Sequence, residues 1–130
     1  MSLTLNPSEM RIMEEFWRHG RLSIRDVQES FPAKKRPPYT SVQSVINRLE
    51  ERGALRRVRK IGNAHIYEAA VSAEEARGHL LDDLLRLFGG RPQTMMAHLV
   101  ESGRLTRKDI RETEKLIDEL ERADRLEKKR

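Results

Sequence analysis

Residues 40–48 combine apolar side chains at helical spacing with a polar arc that can form hydrogen bonds. On a helical wheel the apolar arc, about 60° to either side of its centre, holds Val42, Val45, Ile46 and Leu49. The opposite arc carries hydroxyl, amide and guanidinium groups, which are the groups that bind base edges and phosphates. The candidate nucleic-acid contacts on this segment are Thr40, Ser41, Gln43, Ser44, Asn47 and Arg48.

Basic residues surround this segment. Residues 31–70 carry 9 basic and 3 acidic side chains, whereas the C-terminal 60 residues carry 13 of each. A basic patch of this kind attracts a polyanion, and nucleic acid is the commonest one in a cytoplasm. Glu50 and Glu51, two of the three acids in residues 31–70, are expected to face away from DNA or toward Arg48 and Arg52. The candidate phosphate contacts are Arg57, Arg59 and Lys60 after the helix, with Lys34, Lys35 and Arg36 before it.

The elements that position these residues are marked by helix start and stop signals. Capping residues and glycines predict helices over residues 7–19 and 24–30, and a third that a Thr40–Gln43 capping box opens and Gly53 ends. Two strands follow, over residues 54–60 and 65–69, with a turn at Gly62-Asn63. Three helices and a β-ribbon in this order predict a mainly α fold with a small β-hairpin, the winged helix-turn-helix.

A second subdomain begins after residue 71. We predict a winged-helix DNA-binding domain at 1–71 and a three-helix dimerisation domain at 72–130, with helices over residues 73–88, 93–101 and 107–123. The first of these helices has an apolar arc of about 200°, twice what one core requires, so we expect a homodimer. The residues after 123 are expected to be frayed. The side chains expected at the dimer interface are Leu81, Leu85, Phe88, Ile117 and Leu120.

Signals for catalysis or metal binding are thin. His79 with Asp82 or Asp83 has the i, i+3 or i+4 spacing of a metal chelate, but a solvated helix face explains the same spacing. Phosphate loops, nucleophile elbows and HExxH motifs do not occur, and the absence of cysteine excludes thiolate sites. Mean hydropathy is −0.74, without an apolar run near 18 residues. These features predict a cytoplasmic protein that is not an enzyme and needs no cofactor or metal.

The third helix also carries a family pattern. Residues 40–53, TSVQSVINRLEERG, resemble the recognition-helix signature of the penicillinase repressor family, which includes BlaI, MecI and the copper-responsive CopY branch. Tyr67, near the end of the second predicted strand, resembles a residue of that family's wing. Leu87-Phe88-Gly89-Gly90 resembles the junction after the family's fourth helix. The resemblance covers about residues 4–122. In the first helix it rests on Leu5, Glu9, Ile12, Met13 and Trp17.

The resemblance implies a dimeric winged-helix repressor that binds inverted-repeat operators, often those of β-lactamase genes. It also implies a membrane sensor-protease, or a protease downstream of it, as a partner besides operator DNA. In the best-known members release follows cleavage of an Asn–Phe bond in the fifth helix, where this chain has His98-Leu99. The copper branch carries a C-terminal cysteine cluster that this chain lacks, so release by copper is not expected.

Three classes of function follow from these observations. The first is a homodimeric repressor of β-lactamase or related antibiotic-response genes, released by proteolysis in the fifth helix, by a ligand or by a partner protein. The second is a winged-helix module that docks an acidic protein, and the third is a small metal-assisted enzyme built around His79. The hydrogen-bonding face of the third helix favours the first class, because a protein-docking helix more often exposes aromatic or aliphatic anchors.

Overall fold

Residues 3–129 are described by the computed structural model, and their elements follow the predicted order. The N-terminal elements are α1 (Pro7–His19), β1 (Leu22–Ser23), α2 (Ile24–Glu29), a 3-10 turn (Ala33–Lys35) and α3 (Tyr39–Glu51). The C-terminal elements are β2 (Leu55–Ile61), β3 (Ala64–Ala69), α4 (Ala73–Leu87), α5 (Pro92–Glu101) and α6 (Arg107–Lys128). Among these residues no helix has both the length and the hydropathy needed to cross a bilayer.

Helix α3 begins two residues earlier than the predicted N-cap at Thr40 implies, and without the predicted capping box. Its N-cap is Pro38, which makes no side-chain cap hydrogen bond. The proline carbonyl accepts hydrogen bonds from the backbone N–H groups of Ser41 and Val42, so Thr40 already lies inside the first turn. The Thr40–Gln43 pair therefore caps nothing. Capping boxes do open α1 at Asn6 and α2 at Ser23, as predicted.

The C-terminal helix is longer than the sequence pattern indicates. We expected residues after 123 to be frayed, but α6 continues to Lys128. Lys128 forms an ion pair with Asp124 one turn earlier, at 3.3 Å, and most residues of the last turns are good helix formers. The prediction ended the helix where its apolar stripe ends, at Ala123. The helix continues beyond that point because the following residues favour helical backbone. Residue 130 lies outside the described residues.

The predicted hairpin forms, but it belongs to a three-stranded antiparallel sheet of order β1-β3-β2. Strand β1 pairs Leu22 with Tyr67, and it was missed because two residues are too few to show an alternating pattern. The hairpin turn is at Gly62, whose φ of 59° favours glycine. Arg57 pairs with Tyr67 and Arg59 with the next residue, Ile66, so the ladder contains a β-bulge.

The chain divides into two compact units, one ending at Asp83 and the other beginning at Leu84. In the first unit the predicted apolar face of α3 packs on the core: Val42, Ile46 and Leu49 are fully buried, and Val45 is half-buried against them. Ala76 of α4 is buried with them, so the packed unit extends beyond residue 71. The functional division after residue 71 stays a prediction. The other buried apolar side chains of this core are Leu5, Ile12, Met13, Phe16, Ile24, Val27, Ala54, Leu55 and Tyr67.

The second unit has a different character. From Leu84 to Lys129 none of the described residues is buried. Its apolar side chains lie instead on exposed helix faces, and the largest exposed ones on α5 and α6 are Met96, Val100, Ile110, Leu116, Ile117, Leu120 and Leu126. Such a unit lacks the buried apolar surface that a stable fold requires.

Candidate nucleic-acid interface

The outward face of α3 presents the predicted polar row. All six candidate contacts on this helix are exposed, whereas the apolar side chains opposite them are buried in the core. The hydroxyl of Ser44 donates to the carbonyl of Thr40 at 3.0 Å, a local bond that it can exchange by rotating about χ1. The amides of Gln43 and Asn47 form no hydrogen bond within residues 3–129, so they remain available to an external partner.

Gln43 and Asn47 line one wall of an open groove of about 620 Å³. The facing walls come from the hairpin and from the start of α2, and they contribute Arg57, His65 and Tyr67. The groove therefore places amide, guanidinium and aromatic side chains beside the outward face of α3. Sequence reasoning did not find Arg25, Asn63 and His65, because only folding brings them beside α3. It also missed Tyr39, which is the first residue of α3 and precedes the predicted start of that helix.

The three basic residues predicted on the hairpin fall into two groups. The guanidinium of Arg57 forms an ion pair with Glu50 at 3.0 Å and lies over the Tyr67 ring, 5.8 Å from its centroid. Arg59 and Lys60 follow the bulge, are exposed, and form no ion pair with any described residue. The structure thus leaves Arg59 and Lys60 free to meet a phosphate and holds Arg57 against α3.

Glu68, on β3, binds two arginines from neighbouring segments. Its carboxylate accepts hydrogen bonds from Arg56 at 2.7 Å and from Arg21 at 3.1 Å. These two bonds, that of Arg56 first, hold the pKa of Glu68 below its usual value. Arg56 and Arg21 are therefore engaged in joining β2, β3 and the segment before β1.

A buried carboxylate stands behind α3. Glu9 is 2% exposed and accepts hydrogen bonds from the Asn6 backbone N–H at 3.0 Å and the Arg48 Nε at 3.1 Å. The Arg52 Nη1 lies 3.3 and 3.2 Å from its two oxygens. Burial raises the pKa of Glu9, but the bond from Asn6 and the two arginines outweigh it, so the pKa lies below its usual value.

This arrangement corrects the expected role of the acids in the basic patch. Arg48 and Arg52 face Glu9 rather than Glu50 or Glu51, and Glu50 faces Arg57. In the sequence Glu9 stands three residues after Asn6, at the N3 position of the capping box that opens α1. The capping bond uses one oxygen of the Glu9 carboxylate, so the other oxygen needs a different donor. That requirement was the one signal in the sequence that Glu9 has a second partner.

The basic turn before α3 also divides in two. Arg36 donates through Nη2 to the carbonyl oxygens of Glu29 and Phe31, at 3.2 and 3.1 Å, and so closes the end of α2. Lys34 and Lys35 are exposed, and their side chains form no hydrogen bond or ion pair with a described residue. Of the three predicted basic residues in this turn, these two lysines have side chains without a partner among the described residues.

The predicted dimerisation residues lie on accessible apolar faces. Leu81, Ile117 and Leu120 are exposed, and Leu85 and Phe88 are half-buried. In the second unit the Phe88 ring lies 5.0 Å from the ring of His98, measured between centroids. His98 is exposed and Leu99 half-buried, and both lie within α5, so the candidate cleavage bond is helical.

The metal hypothesis gains no support from the geometry. Within residues 3–129 no group of three or more His, Cys, Asp or Glu side chains is placed to hold an ion. His79 lies half-buried and Asp82 exposed on α4. The structure therefore directs attention to α3 and the hairpin.

Comparisons with known proteins agree with this geometry. The protein-family model of the penicillinase repressor matches residues 5–119. The solution structure of the DNA-binding domain of the repressor BlaI matches with TM-score 0.51 and 19% identity, over 58% of this chain and 90% of that one. No match was found among curated protein sequences.

Two further solved structures match over nearly the whole chain. A cysteine-to-serine mutant of MarR from E. coli, complexed with operator DNA, matches with TM-score 0.52 and 11% identity, over 91% of this chain and 76% of that one. YusO from Bacillus subtilis gives TM-score 0.50 and 16% identity, over 92% of this chain and 76% of that one. Identities this low establish the fold alone, and that fold is the winged helix.

Proposed function

Since the chain belongs to the penicillinase repressor family and is a DNA-binding transcriptional repressor, we propose that two copies of it bind an inverted-repeat operator. The observation that carries this proposal is the exposed polar row of α3 opposite its buried apolar row. A helix with this division can enter the major groove while its other face stays packed in the domain. The two-fold symmetry of a homodimer then requires a two-fold symmetric site.

Within this proposal the two parts of the interface have different tasks. Gln43 and Asn47 read base edges, because an amide can pair with both N6 and N7 of adenine. Arg59 and Lys60 contact phosphates, which gives affinity without sequence preference. Thr40, Ser41 and Ser44 can bond either to bases or to the backbone. Arg57 lines the groove while paired with Glu50, so it places the hairpin against α3.

The second unit supports the homodimer. Its helices expose apolar side chains and bury none of the described ones, so a partner surface is needed for stability. Since an exposed apolar surface of this kind is present on every copy, a second copy can cover it with the same surface. We assign Leu85, Phe88, Ile117 and Leu120 of this unit to that interface, together with Leu81, which precedes the unit on α4.

Membership of the family extends the proposal to regulation. We propose that the operators control β-lactamase or related antibiotic-response genes, and that the protein acts on them in the cytoplasm. A membrane sensor-protease, or a protease that acts after it, is the proposed partner for release. The chain itself performs no catalysis in this scheme and requires no cofactor.

Selection of bound sequences from random double-stranded DNA tests the operator proposal. We expect enrichment of an inverted repeat whose half-sites are one or two helical turns apart, because each copy carries one α3. Genome fragments bound in cells should contain the same repeat. Enrichment of a single half-site would contradict two-copy binding. Absence of any enrichment, with binding to an acidic protein instead, would favour the protein-docking module.

Release by cleavage predicts that the repressor chain becomes shorter in cells when the genes are derepressed. Helix α5 buries no described side chain, so its local opening should expose the segment around His98-Leu99 to a protease. Cleavage there would remove α6 and with it part of the dimer interface. In cells treated with a derepressing β-lactam, we expect immunoblots to show a fragment ending near His98. Derepression with the full-length chain intact would exclude cleavage and favour release by a ligand or partner protein.

A further inference from the structure

We propose that Glu9 is a positioning residue of the DNA interface, holding the guanidinium of Arg48 so that its outer edge meets a backbone phosphate. Glu9 lies on α1 and does not itself reach DNA in this proposal. The inference rests on the proposed DNA contact of α3. It adds to that contact a residue that acts through another side chain.

The carboxylate of Glu9 is fixed from several sides. Its Oε1 accepts the backbone N–H of Asn6 at 3.0 Å, and its Oε2 accepts the Arg48 Nε at 3.1 Å. Arg52 adds its Nη1 within 3.3 Å of both oxygens. A carboxylate with these donors, on a side chain almost without exposure, cannot rotate freely. It therefore gives Arg48 a fixed point of attachment.

The two arginines use this attachment differently. Arg52 donates to Glu9 through Nη1 and to the Thr4 carbonyl through Nη2, so its guanidinium is occupied at both positions. Arg48 is bonded only through Nε among the described residues, and its side chain is 47% exposed. The Nη1 and Nη2 groups of Arg48 therefore stay available, as the pair that binds phosphate in a bidentate manner.

The position of Arg48 on α3 suits such a contact. Arg48 lies four residues after Ser44 and seven after Ser41, so the three side chains form one edge of the outward face. A free arginine side chain loses much rotamer freedom when it binds, and the bond to Glu9 removes part of that loss beforehand. The buried carboxylate thus acts on DNA affinity as well as on the fold.

A double-mutant cycle tests the proposal with the full-length chain and operator DNA. The variants are Glu9→Gln, Arg48→Gln and their combination, with Arg52→Gln as the matched control. Operator affinity is measured over a salt series, and the free energy of unfolding by urea. We expect Arg48→Gln to lower the salt slope by about one for each half-site, since each copy then binds one phosphate fewer.

The expected pattern separates positioning from stability. Glu9→Gln should weaken operator binding by about tenfold in the wild-type background and have no effect on it in the Arg48→Gln background. It should lower stability in both. Arg52→Gln should lower stability, leave the salt slope unchanged and weaken operator binding much less than Glu9→Gln does, because Asn6 and Arg48 still hold the Glu9 carboxylate.

Three outcomes would overturn the inference. They are an equal loss of affinity from Glu9→Gln in both backgrounds, a loss from Arg52→Gln as large as that from Glu9→Gln, and an unchanged affinity of Glu9→Gln.

If Glu9→Gln does not fold, Arg48→Lys replaces it, because lysine keeps the charge but cannot bridge Glu9 and a phosphate. We expect Arg48→Lys to keep the wild-type salt slope, because the charge is retained, but to bind operator more weakly than the wild type; wild-type affinity in that variant would overturn the proposal. Failure of the wild-type chain to bind any operator would instead reject the proposed function.

Discussion

Leu120→Asp should dissociate the proposed homodimer and lower operator affinity by about 100- to 10,000-fold, the advantage that two linked binding events give over one. Leu120 lies on the apolar stripe of α6 with Ile117, and it is 62% exposed in the single chain. An aspartate there would place a charge in an apolar interface without a partner. Sedimentation of the variant should show a monomer, and each copy should then bind a half-site weakly.

Leu126→Asp is the matched control for this effect. Leu126 has the same residue type, lies on the same helix and is also 62% exposed, but it lies about 120° around α6 from Leu120. We expect this variant to remain a dimer with nearly unchanged operator affinity. A monomeric wild-type chain at micromolar concentration, or equal losses from both variants, would contradict the assignment of the interface.

Gln43→Ala and Asn47→Ala should each cost about 1–3 kcal/mol of discrimination for every half-site in which a bidentate bond to a base is removed. Both amides line the groove beside the hairpin, and neither is used within the described part of the chain. Binding to random DNA should change little, because it depends on phosphate contacts. The measurement is the ratio of operator to random-DNA affinity at a fixed salt concentration.

The double variant Arg59→Ala/Lys60→Ala should lose affinity without losing discrimination, the opposite of the amide variants. It should weaken binding to operator and random DNA alike and lower the salt slope by about one for each phosphate that the variant no longer binds. Wild-type discrimination in both amide variants would show that α3 does not read the bases. An unchanged salt slope in the hairpin variant would place the DNA backbone elsewhere on the protein.

The parts of the fold that sequence predicted are those determined within a few residues. Asn6 and Glu9 specify the start of α1 because cap and partner are three positions apart, and the same holds for Ser23 and Asp26 in α2. The start of α3 was missed because the backbone constraint of Pro38 competed with a plausible side-chain cap. Strand β1 was missed because its pairing with β3 exists only after folding.

In the candidate site, too, sequence predicts the features that depend on nearby residues and misses those that depend on tertiary packing. The polar row of α3 follows from helical periodicity alone, so it could be read from the sequence. The pairings that decide which arginines are available could not, since Glu9 and Arg48 are 39 positions apart and only the packing of α1 on α3 brings them together. Charge counts treat Arg48, Arg57 and Arg59 as equivalent, whereas the structure separates them by their partners.

The lack of buried side chains between Leu84 and Lys129 has a consequence for how the protein accumulates. If the apolar faces of this unit are covered only by a second copy, its folding is second order in chain concentration, and its apparent melting temperature rises as the protein is concentrated. Newly made chains at low abundance would then spend longer with those faces uncovered, open to degradation. Protein lifetime would increase with expression level, so occupancy of the operator would change more steeply than synthesis does.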